Sequence, residues 1–184
     1  VSELTNEKIF YERFFALHHD AQLIEVVKAF GIGVFRRSSV LEGFATFLDE
    51  TNFRGERCVE IGTCNGLTAV VLARHFDEVV TIDVVPSDVK RGIAKHLGVK
   101  NIRFVDVRDN AEKAAAIEML HFDGAYVDGD HAHDTEADFA LVKHAGRVLF
   151  HEYWPAQPAV VALVERLRLQ GRVVTQGKLA LWMI

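Results

Sequence analysis

The densest run of chemically competent side chains is Asp128-Gly129-Asp130-His131-Ala132-His133-Asp134, with five titratable groups in seven residues. A second group, His151-Glu152-Tyr153-Trp154, follows downstream. Core packing has no use for so many ionisable groups, and burying them unpaired is costly. Each group ends a short apolar run, GAYV before Asp128 and RVLF before His151. If those runs are neighbouring parallel strands, Asp128, Asp130, His131, His151 and Glu152 converge on one cleft. Imidazoles and carboxylates in that combination can take a proton from a substrate or hold a divalent cation. Asp134 is expected to cap the helix that starts at Thr135, and His133 to be exposed loop. His18, His19, His75, His96, His121 and His144 have no convergent partners and receive no role.

A third feature is the loop Glu60-Ile61-Gly62-Thr63-Cys64-Asn65-Gly66-Leu67-Thr68. It joins a β-branched run to a helical stretch, where glycines permit a tight turn and close approach of a ligand. The dinucleotide fingerprint G-x-G-x-x-G is missing, since Cys64 holds the middle glycine position. Glu60 beside the loop would repel a pyrophosphate and suits a cationic cofactor; S-adenosylmethionine carries a sulfonium and an ammonium and no phosphate. Asp83 ends the next run at a spacing suited to a ribose-binding carboxylate. Cys64 is read as a small loop residue rather than a reactive thiol.

These residues need a scaffold that brings strand ends together. From Arg57 onward, β-branched runs at 58–61, 79–85, 102–107, 124–128 and 147–151 alternate with helical stretches at 67–76, 87–97, 111–120 and 134–145. Nearly continuous apolar strands separated by helices indicate a parallel sheet covered on both faces. After a helix at about 157–169, the runs 172–175 and 179–184 flank a Gln-Gly-Lys turn and read as an antiparallel hairpin. Residues 1–57 look helical, with aromatic residues at helical spacing.

E-I-G-T-x-x-G-x-T followed by T-I-D resembles the first two motifs of class I S-adenosylmethionine-dependent methyltransferases. With V-D-G-D-H after the fourth run, the pattern is similar to a bacterial branch that includes macrolide-sugar O-methyltransferases and cephalosporin-hydroxylase-type proteins. Catechol O-methyltransferase is a more distant relative. The resemblance covers about residues 55–184. It implies an α/β, doubly wound, mostly parallel seven-stranded Rossmann-like sheet with a C-terminal antiparallel hairpin, residues 1–54 forming an N-terminal helical cap. It places Glu60, Gly62 and Gly66 at the methionine end of the cofactor, with Thr63 and Asp128 also cofactor-binding. Asp83 would hold the ribose hydroxyls and Asp109 would approach the adenine amino group, although Asp109 equally suits the cap of the next helix.

The resemblance further implies Asp128 and Glu152 as ligands of a divalent cation, Mg or Mn, and His131 as the base. An imidazole with an ordinary pKa near 6.5 is poorly matched to an alcohol, and a bound cation closes that gap by acidifying the hydroxyl. His151 stands where the metal-binding relatives have a carboxylate. Magnesium prefers oxygen ligands, whereas an imidazole suits manganese, iron or zinc. His151 is therefore read either as a third ligand or as a base or substrate contact in a metal-free enzyme.

The remaining composition bounds the partners. The chain has 184 residues, 49% hydrophobic, with a formal charge of −5 and two cysteines. That supports one cytoplasmic domain over 1–184 with a real core, and no disulfide framework. An acidic chain argues against a nucleic-acid partner, and no apolar run suits a membrane span. The expected reaction is O-methylation of a hydroxylated small molecule, with the aromatic N-terminal helices a candidate homo-oligomer surface. The rivals are an NAD-binding Rossmann oxidoreductase, a non-haem iron enzyme using His131, His151 and a carboxylate, and an inactive cofactor-binding or regulatory protein.

Overall fold

The computed structural model describes residues 43–86 and 88–184. Most of the expected cap, and with it the candidate oligomer surface, lies outside them. The first described helix, α1 (Phe44–Glu50), turns Phe44, Phe47 and Leu48 inward. The strands are β1 (Gly55–Ile61), β2 (Phe76–Asp83), β3 (Ile102–Asp106), β4 (Gly124–Val127), β5 (Arg147–Phe150), β6 (Arg172–Gln176) and β7 (Leu179–Met183). Between them run α2 (Leu67–Leu72), α3 (Asp88–His96), α4 (Asn110–Glu118), α5 (Thr135–Val142) and α6 (Pro158–Leu167). Pro158 starts α6, where its missing N–H costs no hydrogen bond.

The sheet order is β3-β2-β1-β4-β5-β7-β6. The first five strands pair in parallel, and β7 pairs antiparallel with both β5 and β6. The seven-stranded sheet and its closing hairpin are thus as expected. Strand alternation sorts the core into two layers. Val59, Ile61, Ala125, Val127, Val148 and Phe150 face α5 and α6, whereas Cys58, Val79, Tyr126, Leu149 and Leu181 face α1 and α2. Among the described residues, no helix is long and apolar enough to cross a membrane.

One element differs from its sequence pattern. The stretch 67–76 ends as a helix at Leu72, and Phe76 is the first residue of β2. Tertiary packing decides this: the Phe76 ring meets Phe53 edge-on at 5.2 Å and is buried. Gly124 leaves the room for it. A Cβ at that position would lie 2.8 Å from Phe76 Cζ and 3.3 Å from Phe53 Cζ. Gly124→Ala is therefore expected to destabilise the fold by about 1–3 kcal/mol through overpacking, read as a lower urea midpoint with an unchanged slope.

Candidate functional site

In this sheet the strand order reverses between β1 and β4, and ligands of open α/β sheets bind beyond the strand ends at such a point. Ile61 lies opposite Val127, and Asp128 N–H donates to the Ile61 carbonyl at 2.8 Å. The loops after β1 and β4 therefore start side by side. They touch at Gly62, with φ +93°, where a Cβ would come within 2.2 Å of the Asp128 carbonyl oxygen.

A cavity of about 560 Å³ opens beside these loops. Gly62, Cys64, Asn65, Asp83 and Asp128 form its polar wall, and Val84, Val85 and Val89 an apolar lip. Asp83, at the end of β2, ties the β1 loop to the loop that follows β2: Oδ2 accepts from Cys64 N–H at 2.7 Å and Oδ1 from Val85 N–H at 2.8 Å. Each oxygen keeps a further lone pair. Cys64 adopts φ +47° in this loop, and burial pushes its thiol pKa up, which disfavours the nucleophilic thiolate.

The wall is acidic. Asp83, Asp128, Asp130 and Asp134 line it, and its cation, Lys113, is paired with the buried Asp138 at 2.5 Å. Asn110 and Lys113 both lie on α4 and line the cavity. The sequence reading missed them. Their i,i+3 spacing on a helix that starts right after a strand end was the available signal.

Glu60 does not face the cavity. It shares a face of β1 with Cys58 and is completely buried. Thr68 Oγ1 donates to its Oε1 at 2.5 Å, Thr81 Oγ1 donates to its Oε2, and Thr63 Oγ1 lies 2.5 Å from Thr81 Oγ1. Burial, only partly offset by the two threonine hydroxyls, raises the Glu60 pKa from 4.5 to about 8. The carboxyl expected to offer a charge to the cofactor is thus held toward its neutral form, in which its own O–H donates to one of these threonine oxygens, and it ties the loop to β2 from behind. Thr63 belongs to the same buried chain, and Gly66 starts α2 with φ +80°. Of the expected cofactor residues, Gly62, Asp83 and Asp128 line the cavity.

At two helix starts the structure gives the detail. Asp109 caps α4, its carboxylate accepting from Glu112 N–H at 2.9 Å, and its neighbour Asn110 faces the cavity instead. Asp134 occupies the cap position of α5 without bonding its backbone; its Oδ2 accepts from Asn110 Nδ2 at 3.2 Å.

Of the five groups expected to converge at the β4 and β5 ends, Asp128, His131 and His151 come together. Asp128 Oδ1 meets His131 Nε2 at 3.1 Å and is in contact with His151 Nδ1, while Tyr126 O–H donates to Oδ2 at 3.1 Å. The two imidazoles stand edge-on, with centroids 5.6 Å apart. Burial works against a charge on Asp128, but the hydrogen bonds from both histidines outweigh it and hold its pKa below the usual carboxylate range. Asp128 is therefore an acceptor, and the ring nitrogens facing it donate. Asp130 accepts from Ala132 N–H at 2.9 Å and pairs with the exposed His133 at 3.1 Å, which keeps His133 on the outside of the loop.

Glu152, expected as a ligand with Asp128 and His151, is engaged elsewhere. It takes a left-handed φ of +57° right after β5. Its Oε2 accepts from Trp154 Nε1–H and lies 3.5 Å from Lys178 Nζ, which itself sits 4.1 Å above the Trp154 ring. The donor atoms that do gather, within 4.8 Å of one another, belong to Asp128, His131 and His151.

No protein-family model matches the chain, and no curated protein does. Solved structures match over most of its length. An O-methyltransferase from Bacillus cereus in complex with SAH is 16% identical with a TM-score of 0.65, covering 90% of this chain and 91% of that one. A cofactor-bound protein from MTB is 18% identical with a TM-score of 0.65, covering 92% and 94%. An rRNA methylase from Streptococcus thermophilus is 16% identical with a TM-score of 0.58, covering 83% and 99%. The chain therefore has the Rossmann-like fold that these methyltransferases use.

The buried Glu60 makes a thermodynamic signature. Its pKa is raised on folding, so the folded state holds a proton that the unfolded chain has released between about pH 4.5 and 8. The stabilisation is complete below the unfolded pKa and is lost as pH rises through the folded one. Glu60→Gln keeps the hydrogen-bonding shape without the titration. Its stability relative to the parent protein is expected to increase from pH 5 to pH 8 by on the order of a few kcal/mol, measured by urea unfolding across that range.

Proposed function

We propose that this protein is an S-adenosylmethionine-dependent methyltransferase acting on a hydroxyl of a small molecule. The observation that carries the reading is an acidic cavity at the sheet's reversal point whose wall includes Asp128, the carboxylate on which His131 and His151 converge. The fold it shares with SAH-bound and other methyltransferases supports it. Four carboxylates against one neutralised lysine favour a cofactor that carries positive charge and no phosphate. The same charge, with the chain's net −5, favours a small acceptor over a nucleic acid.

In this reading Asp83 accepts from the ribose hydroxyls with the lone pairs left free by Cys64 and Val85. Val84, Val85 and Val89 offer an apolar surface for the base, and Asn110 a polar contact at its edge. The ionised Asp128 at the other end favours the cationic part of the cofactor. The cofactor supplies a methyl group already activated on sulfur, so the protein's task is to align the acceptor oxygen and take its proton. Asp128 holds the Nε2–H of His131, which leaves Nδ1 of that ring as the proton acceptor. His151, held on the same carboxylate, fixes Asp128 in place and lies beside the acceptor position as a second polar contact.

Calorimetric titration with S-adenosylmethionine and S-adenosylhomocysteine is expected to give binding in about the micromolar range. Asp83→Ala should weaken it about 10- to 100-fold, the worth of charge-assisted hydrogen bonds. His131→Ala should abolish turnover of a hydroxylated acceptor while cofactor affinity stays within a few-fold. Absence of binding to either adenosyl compound would overturn the proposal, and turnover that survives His131→Ala would overturn the base assignment.

A further inference from the structure

Magnesium does not fit the cluster at the β4 and β5 ends. It demands near-octahedral oxygen ligation, and the donor atoms assembled here are one carboxylate oxygen and two imidazole nitrogens. Glu152, the carboxylate that would add oxygen, has Oε2 on Trp154 and Lys178 and Oε1 beside the far nitrogen of His151. Among the described residues these three are the group gathered closely enough to hold an ion.

The His151 ring supplies a second, independent observation. It is 92% buried by its 8% exposure, and its Nε2 has no hydrogen-bond partner. Its Nδ1 lies against Asp128, and the unpartnered Nε2 is 3.4 Å from Glu152 Oε1. A buried ring nitrogen left without a hydrogen-bond partner is an unfavourable arrangement. It resolves when a cation takes the Nδ1 lone pair, because the ring hydrogen then sits on Nε2 and points to Glu152. A ligating histidine whose other nitrogen donates to a carboxylate is the usual support of a transition-metal site. Asp128 is braced in the same way, with Tyr126 on Oδ2 and Oδ1 left toward the two imidazoles.

We infer that Asp128, His131 and His151 form a binding site for a nitrogen-preferring late first-row cation of the zinc class, with Glu152 orienting His151, and that the site rejects magnesium. The inference deepens the proposed function at the same cluster but does not need the cofactor to be tested. A cation there would act as a Lewis acid that acidifies a coordinated hydroxyl. His131 would then hold the ion, so its use as a ligand and its use as a base are alternative states of one side chain.

The test is calorimetry on chelator-stripped protein without cofactor, using zinc and magnesium chlorides, with cobalt absorption as a spectroscopic reading of the ligand set. One zinc per chain is expected at micromolar or tighter affinity, with no magnesium binding at millimolar concentration. His131→Ala and His151→Ala should each cost at least about tenfold in zinc affinity and change the cobalt spectrum, while His133→Ala should alter neither. His131→Asn serves as the second variant should the buried His151→Ala fail to fold, as judged by circular dichroism. Magnesium binding as tight as zinc, or zinc affinity indifferent to the folded His131 variants, overturns the inference. Titration with S-adenosylhomocysteine on the same protein separates the two ideas. Zinc binding without it leaves the site standing and sinks the methyl-transfer reading, and the reverse result sinks only the site.

Discussion

The contact between Gly62 and the carbonyl of Asp128 is the constraint on which the rest of the site depends. Two parallel strands at the centre of the sheet end in register, and the two loops leaving them must cross within a space too small for a Cβ. Everything chemical follows from that closeness. The β1 loop runs along one side of the cavity, and Asp128 lies at its end, where β5 can deliver His151 from the next strand over. A side chain at position 62 would push the loops apart and displace Asp128 from the cavity wall.

Charge in the site is arranged by depth. Behind the loop Glu60 is neutral, because burial outweighs the two threonine hydroxyls that bind it. In front, Asp128 is ionised although burial opposes its charge, because two imidazoles donate to it. Two carboxyl groups on neighbouring strands thus take opposite protonation states for reasons of local partners alone. The protonated one fastens the loop, and the ionised one faces the ligand space. The acidity of the cavity comes from Asp83, Asp128, Asp130 and Asp134 rather than from the motif glutamate.

The sheet was legible because its strands are short apolar runs separated by helices, and a parallel order follows from that pattern. The convergence of 128–131 with 151 was legible for the same reason. What the sequence concealed was the direction of side chains. Glu60 reads as a charge next to a glycine loop, yet the period-two alternation that buries Cys58 carries Glu60 into the same layer, and only Thr68 and Thr81 together make that tolerable. Asp109 and Asn110 differ by one residue, and the helix cap taken by the first turns the second toward the cavity. Glu152 follows His151 directly, but a left-handed turn sends its carboxylate to Trp154 and Lys178. Each of these is settled by a tertiary partner that no local pattern names.

The electrostatics also weigh on the choice between nucleotide cofactors. A dinucleotide needs its pyrophosphate met by backbone N–H groups or cations near the first glycine loop. In this loop the Cys64 N–H is already spent on Asp83, and the Leu67 N–H on Asn65 Oδ1 at 3.2 Å. The cation on the cavity wall, Lys113, is neutralised by Asp138 in a pair that places it 3.9 Å from Asp134 as well. A diphosphate would therefore meet four carboxylates with the unpaired Asn65 Nδ2 as the side-chain donor this loop offers it, whereas a sulfonium and an ammonium meet the carboxylates they require. The missing middle glycine and the acidic wall are two aspects of one preference, since a loop that need not wrap a phosphate can carry a cysteine where the phosphate would demand bare backbone.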